Sequence, residues 1–464
     1  MEQIFLVVTE KKSLSEDSSL AEKYMEYAGE KIFKEIKNIF KKENIQNDPG
    51  SILLLTGKGN NSGDAYVVGR LLLKEGFKVS ALEVLFEGQR TNLCEKNYQK
   101  FLASGGKILK DYQASLKNMS KDTIICDGLL GIGFKPPLSR DLKNLIESVN
   151  KLKNKVIAVD LPSGLSDSPR TKDLAIIKAY KTLCLGLPKK LLFMNSNLDF
   201  VGELKVFDFG LAQKYVEEAQ EEFKLLEIKD IQSMFPKQRR TAHKYELGAV
   251  LALAGSKGMM GAAFLSTLAC LRSGSGLVKI LLSSENLKEA NILSKELIKL
   301  IYSSSDELRE CLKNQKFSAV LLGPGLSLKE KSKELCQKLI EEIGETPIII
   351  DADGLGLIAE GVFSPPKNSV LTPHFGELAR LLAKEKITCM DDSLLEECKT
   401  YAQEKELCLL VKGAPSFIFS ARGEVFISLR GSKGMATAGS GDVLSGIIAC
   451  FLAQGVLPEK AACL

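Results

Sequence analysis

The sequence predicts an α/β protein of two domains in series, each with a parallel sheet that carries helices on both faces. Three observations support this prediction: the chain has 464 residues, strand-length apolar runs alternate with helix-length amphipathic segments, and the alternation restarts after a polar, acidic stretch at 213–223. Such a length is typical of two or three domains, and β-branched runs between helices are typical of buried parallel strands. We expect domains at 1–215 and 222–464, with the boundary inside 212–225.

Strands of the first domain are predicted at 51–56, 78–85, 123–127, 156–160, 181–185 and 203–208, and helices at 64–75 and 138–150. Those of the second are predicted at 249–254, 277–282, 319–322, 347–351, 369–371 and 407–411, followed by a helix at 443–452. Ligands of such sheets bind at the carboxyl ends of the strands. Glycine- and aspartate-rich segments occupy these ends in both domains, at 57–64, 127–133, 160–164, 255–261, 323–325, 351–354 and 439–442.

The composition argues against several classes of protein. The net charge of +5 is spread along the chain, so short basic runs are interpreted as solvated surface rather than a nucleic-acid interface. No apolar stretch reaches the roughly 18–20 residues of a membrane span, and the N-terminus is interpreted as a strand or extended segment rather than a signal peptide. The eleven cysteines form no CxxC pair and there are only two histidines, which argues against a zinc site.

These features lead to expectations about compartment and partners. We expect free thiols in a reducing cytoplasm. The expected partners are small-molecule substrates, with no nucleic acid and no membrane, and the chain is expected to form a homo-oligomer.

A segment of small residues, ATAGSGD at 436–442, precedes the last predicted helix. Small residues allow the backbone to close around an anion, and the first N–H groups of a helix together with its dipole favour a phosphate there. A carboxylate at this position, Asp442, suits acid or base work beside the phosphates. The alternative is that Asp442 only caps the helix.

Six motifs occur in order between about 236 and 457: HKYELGAVLALAGSKGMMGAAFLSTLACLRSGSGLVKI, LLGPGLS, IIIDADGL, LTPHFGEL, LLVKGAPS and GMATAGSGDVLSGIIACFLAQG. Together they resemble the ADP-dependent NAD(P)H-hydrate dehydratase family. The resemblance implies a ribokinase-like three-layer sandwich that uses ADP as a co-substrate, with Mg²⁺, to dehydrate the S-form of hydrated NADH and NADPH, giving AMP and phosphate. In that family a nucleotide phosphate activates the hydroxyl next to the ring nitrogen as a leaving group, and elimination restores the dihydronicotinamide.

The resemblance also implies site residues in the second domain. Asp442 matches the position that contacts the substrate and acts on its hydroxyl. Three further positions would line the hydrate site, namely Ala262, Gly325 and His374. The nucleotide contacts would come from Lys412, Gly413, Ala414, Pro415, Ser416 and Gly441.

Structural alternatives remain open for several of these residues. His374 also fits a packed structural histidine, Lys412 a support for its loop, and Ala262 simple helix packing. Asp351 and Asp353 are expected either to orient backbone or to face a magnesium ion. The family continues past the position of Leu464 with a helical segment that contains a His-Gly pair. Two explanations stay open, a truncated sequence or a short copy, and the helical cover of the last motif depends on which applies.

In the first domain, GKGNNSGD at 57–64 follows a strand and opens a helix. It differs from the Rossmann GxGxxG pattern because its asparagines and aspartate offer side-chain ligands. The motifs CDGLLGIG at 126–133 and VDLPSG at 159–164 follow later strands. Amide, carboxylate and hydroxyl oxygens that meet at strand ends suit a hard cation, and the glycine runs suit phosphates.

With an opening helix, YMEYAG at 24–29, these motifs resemble the NAD(P)H-hydrate epimerase family over about 20–210. The resemblance implies a Rossmann-like three-layer sandwich that interconverts the R- and S-forms. Asn61, Asp127 and Ser163 would hold K⁺, and Asp160 would contact the hydrate and do the acid–base work. The other hydrate-binding residues would be Asn60, Asn61, Ser62, Gly63, Asp64, Gly131, Ile132, Gly133, Phe134, Lys135, Pro136 and Pro137. The sequence departs from the family at Tyr27, where asparagine is usual, and at Ser62, where glycine is common.

Two other functions fit parts of the sequence. The second domain also fits a ribokinase-like small-molecule kinase in which Asp442 deprotonates an alcohol that attacks the γ-phosphate. The fused first domain and the TPHFGE motif favour the dehydratase. The first domain also fits a non-catalytic binding domain, with Asp160 merely fixing the Pro-Ser-Gly turn, but the intact set Asn61, Asp127, Asp160 and Ser163 argues against that.

Overall fold

The computed structural model describes residues 5–8, 18–42, 50–84, 88–166, 175–194, 196–208, 221–313 and 315–464. They form two compact units. The first unit lies within Leu6–Glu222, and the second unit comprises Phe223–Leu464 together with Phe5.

A parallel sheet forms the middle layer of the first unit. Within the described residues it has seven strands, in the order Lys107–Leu109, Lys78–Glu83, Ser51–Thr56, Ile124–Gly128, Val156–Val159, Lys181–Leu185 and Glu203–Phe207. Every neighbouring pair is parallel. The chain extends the sheet in one direction from Ser51–Thr56 and in the other from Ile124–Gly128. The topological switch point therefore lies between these two strands, which is where ligands of open parallel sheets bind.

Helices cover both faces of this sheet. Alternate residues of a strand point to opposite faces. Leu54 accordingly joins one core with Ile32 and Tyr66, whereas Leu53 joins a second core with Leu145. The predicted three-layer sandwich is confirmed. The helices are Ser18–Lys42, Asn60–Lys74, Asn92–Ala103, Tyr112–Lys117, Arg140–Asn150 and Leu198–Val201, with a 3-10 turn at Lys190–Leu192.

The second unit is built on a larger sheet. Its parallel part has the order Ile298–Tyr302, Leu277–Ser283, Ala249–Leu253, Ala319–Leu322, Ile348–Ile350, Val370–Leu371 and Cys408–Val411. An antiparallel hairpin then extends it, formed by Ser416–Phe419 and Val425–Ser428. The strand Glu221–Leu225 follows, parallel to Val425–Ser428 through Lys224 and Leu225. One further short strand, Phe5–Val8, lies near the start of the chain. The predicted ribokinase-like sandwich is thus built on a sheet that is parallel over most of its width and becomes antiparallel at the hairpin.

Two helices of the second unit, Met260–Arg272 and Ser440–Ala453, pack closely against each other. Gly446 permits this approach, because an added Cβ there would lie 2.0 Å from the Ser266 carbonyl oxygen. Both helices contribute to the main core of the unit. The remaining helices are Ile228–Met234, Ser305–Lys313, Glu330–Ile343, Asp353–Ala359, Phe375–Leu381, Asp392–Glu404 and Pro458–Cys463, with 3-10 turns at Ser284–Asn286, Glu289–Ile292 and Lys433–Met435.

The structure also corrects details of the sequence prediction. The helix predicted from residue 64 begins at Asn60, which puts both asparagines in its first turn. The hairpin after residue 415 was not predicted; its connection at 420–424 is too short to join parallel strands, which need a long crossover. Part of the expected boundary, Glu221–Leu225, is a strand, whereas residues 209–220 lie outside the described residues. None of the described helices combines the length and apolar character needed to cross a membrane.

Candidate active sites

In the second unit, three neighbouring parallel strands end beside one another: Ile348–Ile350, Val370–Leu371 and Cys408–Val411. Asp351 follows the first of these strands and Lys412 follows the third. The Lys412 ammonium lies 2.9 Å from Asp351 Oδ1 and 3.8 Å from Glu377 Oε2. Because Asp351 and Glu377 are both buried, this ammonium is fixed by two carboxylates at the edge of the sheet.

The start of the helix Ser440–Ala453 faces this ion pair. An added Cβ at Gly441 would lie 3.5 Å from Lys412 Nζ and 3.8 Å from Asp351 Oδ2. The helix is capped by Gly439, without a side-chain cap hydrogen bond, and Asp442 lies in the first turn. The alternative in which Asp442 only caps the helix is therefore wrong. The structure brings Asp351, Lys412, Gly441 and Asp442 together.

The electrostatic surroundings of Asp442 favour its protonated form. Partial burial raises the pKa of Asp442, the neighbouring Asp351 carboxylate raises it further, and the Lys412 ammonium acts in the opposite sense. A general acid or base works best when its pKa lies closer to neutrality than that of an ordinary aspartate. The position and the direction of the shift both suit proton transfer.

The loop after Lys412 is compact. The Ser416 hydroxyl donates to the Gly413 carbonyl oxygen at 3.0 Å, and the Gly413 N–H donates to Ser416 Oγ at 3.4 Å. Lys412 N–H donates to the Pro373 carbonyl oxygen at 2.8 Å, which ties the loop to the segment that carries His374. The predicted nucleotide-binding residues 412–416 thus lie next to one member of the predicted hydrate site.

His374 caps the helix Phe375–Leu381. Its Nδ1 accepts the N–H groups of Gly376 at 3.0 Å and Glu377 at 3.2 Å, while Glu377 Oε2 accepts the His374 N–H at 2.9 Å. The ring is exposed rather than packed, so the structural alternative is wrong about packing, but the capping bonds do give His374 a structural role. Since Nδ1 is occupied as an acceptor, Nε2 carries the proton in the neutral ring, and it lies 3.6 Å from Glu377 Oε2.

Ala262 and Gly325 are neighbours in space. An added Cβ at Gly325 would lie 3.0 Å from Ala262 Cβ and 2.6 Å from the Met259 carbonyl oxygen. With φ at +64°, position 325 favours glycine on conformational as well as steric grounds. These two predicted hydrate-site residues therefore form one close contact between the loop after Ala319–Leu322 and the first turn of Met260–Arg272.

In the first unit, an oxygen-rich cluster lies at the switch point of the sheet. Buried Asp127 accepts the Ser163 hydroxyl at 2.6 Å through Oδ1 and the Ser163 N–H at 2.8 Å through Oδ2. Ser163 Oγ accepts the Leu130 N–H at 2.8 Å, and Asn61 Nδ2 donates to the Leu130 carbonyl oxygen at 2.7 Å. Asn61 Oδ1 is buried and has no hydrogen-bond partner among the described residues. The three predicted cation ligands are therefore linked through Leu130.

The hydroxyl of Ser62 is turned into the protein. It accepts the Gly57 N–H at 2.7 Å and donates to the Gly128 carbonyl oxygen at 2.8 Å, and the residue is fully buried. The side chain predicted to bind the hydrate thus joins the helix start to the ends of two strands instead. The loop 131–137 is largely exposed beside the same helix start, since an added Cβ at Gly131 would lie 3.2 Å from Asn61 Cβ.

Asp160 follows the strand Val156–Val159 with φ at +63°, in the left-handed region. Its Oδ1 accepts the Leu185 N–H at 3.0 Å and forms an ion pair with Lys189. Lys189 was not predicted from the sequence as a site residue. The signal available was its position just after the strand Lys181–Leu185, at the same sheet edge as the predicted motifs.

A second carboxyl, that of Asp64, lies within electrostatic range of this ion pair. Burial raises the pKa of Asp64 well above its usual value, the Asp160 carboxylate raises it further, and Lys189 lowers it. Burial alone would lower the pKa of Lys189, but the adjacent Asp160 outweighs this effect and raises it. Asp64 therefore favours its neutral form near the Asp160–Lys189 ion pair.

The fold is that of a two-domain α/β enzyme with a candidate active site at the carboxyl ends of the strands in each sheet. Residues 250–464 match the family described as NAD(P)H-hydrate dehydratase, and residues 21–191 match the family described as YjeF-related protein N-terminus. The chain belongs to the bifunctional NAD(P)H-hydrate repair enzymes, which combine a dehydratase and an epimerase. The resemblance inferred from the motifs is confirmed.

Relatives cover most of the chain. A bifunctional NAD(P)H-hydrate repair enzyme from Moorella thermoacetica is 34% identical over 95% of this chain and 85% of its own length. The corresponding enzyme from Coxiella burnetii is 32% identical over 89% of this chain and 82% of its own length. Among solved structures, a ribokinase-like superfamily protein from Enterococcus faecalis is 26% identical, covers 52% of this chain and 84% of its own, and has a TM-score of 0.46.

Proposed function

We propose that the second unit dehydrates the S-form of hydrated NADH and NADPH with ADP, giving AMP and phosphate, and that the first unit interconverts the R- and S-forms. The observation that carries the first part is the convergence of Asp442, Gly441 and Lys412 on one helix start. That helix start supplies backbone N–H groups for a phosphate, and Lys412 supplies a positive charge beside it. Asp442 is the carboxylate beside these phosphate-binding groups.

The proposed dehydration has two stages. Asp442 takes the proton of the substrate hydroxyl while the hydroxyl oxygen attacks the terminal phosphate of ADP, and the bond to the AMP oxygen breaks. The ring nitrogen then helps to expel the phosphate from the neighbouring carbon, and loss of a proton from the next carbon restores the ring double bond. The raised pKa of Asp442 supports its role, because a weaker acid is a stronger proton acceptor.

Mg²⁺ would accompany the nucleotide rather than occupy a site made by the protein alone. Among the described residues, no group of three or more His, Cys, Asp or Glu side chains could hold a metal ion. Asp353 accepts the Ser327 N–H at 2.8 Å, so this side chain orients the backbone of the loop that carries Ser327. Asp351 Oδ2 and Asp442 are the carboxylate oxygens that fit a phosphate-bound Mg²⁺, which supplies charge neutralisation when bound.

In the first unit we propose that Asp160 performs the acid–base chemistry of epimerisation. The ring nitrogen helps to expel the hydroxyl from the adjacent carbon, a proton from the carboxyl converts it to water, and water returns to the other face as the carboxylate takes its proton. Asp160 is held at a strand end beside the switch point by Lys189 and the Leu185 N–H. A carboxylate that the protein fixes through one of its oxygens suits this reaction.

A potassium ion fits the cluster of Asn61, Asp127 and Ser163. The buried Asn61 Oδ1 lacks a partner among the described residues, and burial raises the pKa of Asp127 to about 6, against the hydrogen bonds from Ser163 and Leu129. Amide, carboxylate and hydroxyl oxygens are hard ligands. When bound, K⁺ supplies a fixed positive charge that holds the segments carrying these three residues together.

The free thiols support a reducing compartment, and we propose the cytoplasm. All eleven cysteines are free, and nine of them are buried. Burial raises the pKa of several of these thiols, including Cys94 and Cys184, to about 12, so they behave as small apolar side chains.

The decisive experiment is to add the purified chain to acid-treated NADH with ADP or ATP and to follow recovery of dihydronicotinamide absorbance. Recovery with ADP supports the proposal, and its absence with either nucleotide sinks it. Formation of a phosphorylated product from ATP alone, without recovery, would favour the kinase. Slow conversion of the R-form in the absence of nucleotide, at the spontaneous rate, would favour a non-catalytic first unit.

A further inference from the structure

The two asparagines that open the helix Asn60–Lys74 present opposite ends of their amides. Asn61 Nδ2 donates to the Leu130 carbonyl oxygen at 2.7 Å, and its buried Oδ1 has no hydrogen-bond partner among the described residues. Asn60 is reversed, because its Oδ1 accepts the Thr91 hydroxyl at 2.6 Å. An amide has one acceptor oxygen and one donor nitrogen. Asn61 therefore presents an acceptor to the candidate cation cluster, whereas Asn60 presents a donor.

Thr91 makes two further contacts, which fix the direction of its hydroxyl. As the cap of the helix Asn92–Ala103, its Oγ1 accepts the Cys94 N–H at 3.3 Å. Its own N–H donates to the Lys58 carbonyl oxygen at 3.0 Å, in the loop just before Asn60. A hydroxyl has a single hydrogen to donate. Thr91 gives that hydrogen to Asn60 and so holds the Asn60 amide with its nitrogen turned away.

Arg90 anchors the segment that carries Thr91. Its guanidinium forms an ion pair with Glu83, the last residue of its strand, and a second with Glu95 Oε2 at 2.8 Å. The guanidinium carbon also lies 3.8 Å from the centre of the Tyr98 ring. The Arg90 side chain is only 13% exposed, and partly buried ion pairs are screened less by salt than exposed ones. Thr91 therefore lies between two fixed points, this anchor and the helix that it caps.

Asn60 lies where a ligand of this sheet is expected. Its helix follows the strand Ser51–Thr56, one of the two strands at the switch point. The residue is exposed, so a ligand can reach its amide. Gly59 caps the helix without a side-chain hydrogen bond, and the first backbone N–H groups of a helix are donors as well. This edge therefore suits acceptor oxygens, which the hydrate carries in its phosphates and hydroxyls.

We propose that Thr91 is a positioning residue of the first unit, whose hydroxyl fixes the Asn60 amide so that Nδ2 donates to an acceptor oxygen of the hydrate. This inference rests on the proposed epimerisation and adds a residue outside the motifs at 57–64, 126–133 and 159–164. Thr91 itself does not contact the substrate. It acts on binding rather than on the chemical step, because the Asn60 donor serves the bound substrate and the transition state equally.

The test uses the full chain, one purified epimer of NADH hydrate and no nucleotide, with kcat and KM measured separately. Thr91→Val keeps the shape of the side chain and removes the hydroxyl. KM should rise about 3–10-fold, the size expected for one hydrogen bond, while kcat stays near the wild-type value. Thr91→Ser keeps the hydroxyl and should restore the wild-type KM. A wild-type KM in folded Thr91→Val would overturn the proposal.

A double variant shows whether Thr91 acts through Asn60. Asn60→Ala removes the donor itself and should raise KM at least as much as Thr91→Val. If Thr91 acts only by holding Asn60, adding Thr91→Val to Asn60→Ala should raise KM no further, because residues that act as one unit are not additive. Increases in KM that multiply in the double variant contradict the positioning role, and so does a wild-type KM in Asn60→Ala.

Thr91→Val also removes a helix cap, so Asp111→Ala is the matched control. The Asp111 carboxylate caps the helix Tyr112–Lys117 of the same unit by accepting the Ala114 N–H at 3.0 Å. Its loss should lower the melting temperature without changing KM. An equal rise of KM in Asp111→Ala and Thr91→Val would trace the effect to lost stability and overturn the proposal.

If Thr91→Val does not fold, Thr91→Gly takes its place, because glycine caps a helix nearly as well as threonine and has no hydroxyl. The same rise in KM is expected, and the same comparison with Asn60→Ala applies. Failure of the proposed function is a separate result. A wild-type chain that does not epimerise overturns that function and this inference with it, whereas an active wild type with an unchanged KM in Thr91→Gly overturns this inference alone.

Discussion

Lys412 Nζ lies 2.9 Å from Asp351 Oδ1 and so bridges the ends of two strands that are separated by Val370–Leu371. The pair faces the first turn of Ser440–Ala453, where Asp351 and Lys412 act on Asp442 in opposite senses. Burial and the Asp351 carboxylate raise the pKa of Asp442, and the Lys412 ammonium lowers it. The ion pair therefore adjusts the proton affinity of Asp442, the proposed base. It also joins the two strand ends that face the proposed phosphate-binding helix start.

The first prediction concerns the pH profile of dehydration. Asp351→Asn removes the carboxylate that raises the pKa of Asp442, so that pKa should fall and Asp442 should stay ionised to lower pH. The low-pH limb of ADP-dependent recovery should therefore move down. Asp391→Asn is the control, because Asp391 only caps the helix Asp392–Glu404 and asparagine caps equally well. An unmoved limb in Asp351→Asn would contradict this prediction.

The second prediction concerns Asp442 itself. Asp442→Asn keeps the size of the side chain but removes its ability to take a proton. ADP-dependent recovery should fall by about 10²–10⁴-fold, the usual contribution of a positioned acid or base. Because Asp442 is not the helix cap, nucleotide binding measured by calorimetry should survive. Activity within about tenfold of wild type would remove Asp442 from the chemistry.

The third prediction concerns nucleotide affinity. ADP should raise the melting temperature of the chain, since a ligand that binds only the folded state adds about 2.7 kcal/mol at 100 times its dissociation constant. Lys412→Met should remove most of this shift, because its ammonium lies 3.5 Å from the Cβ position of Gly441 at the helix start. Lys405→Met, on the exposed end of Asp392–Glu404, should leave it unchanged. No shift at millimolar ADP would count against the site.

Much of the fold could be predicted from the sequence, because buried parallel strands leave uninterrupted apolar runs. Ser51–Thr56, Lys181–Leu185 and Ala319–Leu322 were predicted at their observed bounds. The edge strands Lys107–Leu109 and Ile298–Tyr302 were missed, since an edge strand is less buried and its pattern is weaker.

The candidate sites were predictable where a motif follows a strand, and less so where a contact joins distant segments. Asp442 and Asp160 occupy such motifs. The pairing of Asp160 with Lys189 depends on how two strands lie beside each other, which a single sequence does not encode locally. The inward turn of the Ser62 hydroxyl likewise depends on the carbonyl of Gly128, 66 positions away.

The fourth prediction concerns Ser62, where the family commonly has glycine. Ser62→Gly removes two buried hydrogen bonds, leaves the Gly57 N–H and the Gly128 carbonyl oxygen without that partner, and adds the conformational cost of a helical glycine. The free energy of unfolding should fall by about 1–3 kcal/mol more than in Ser148→Gly, which has the same helical cost but loses only one exposed hydrogen bond, from the Ser148 hydroxyl to the Asn144 carbonyl oxygen. Equal losses in the two variants would show that the Ser62 bonds contribute little.

The fifth prediction separates the two activities. The second unit should accept one epimer only, so complete repair of an epimer mixture needs the first unit. Asp160→Asn removes the proposed proton carrier while keeping a residue that tolerates the left-handed conformation at φ +63°. Recovery from a mixture with excess ADP should then be biphasic, with a fast part and a slow remainder at the spontaneous epimerisation rate.

Wild type and Asp122→Asn, which changes an exposed turn residue, should both recover in a single phase. If Asp160→Asn clears both epimers as fast as wild type, Asp160 is not the acid–base residue of the first unit. If wild type is itself biphasic, the first unit is a binding module rather than an epimerase. The departures at Tyr27 and Ser62 would then be the first positions to restore, as Tyr27→Asn and Ser62→Gly, with a return to single-phase recovery as the readout.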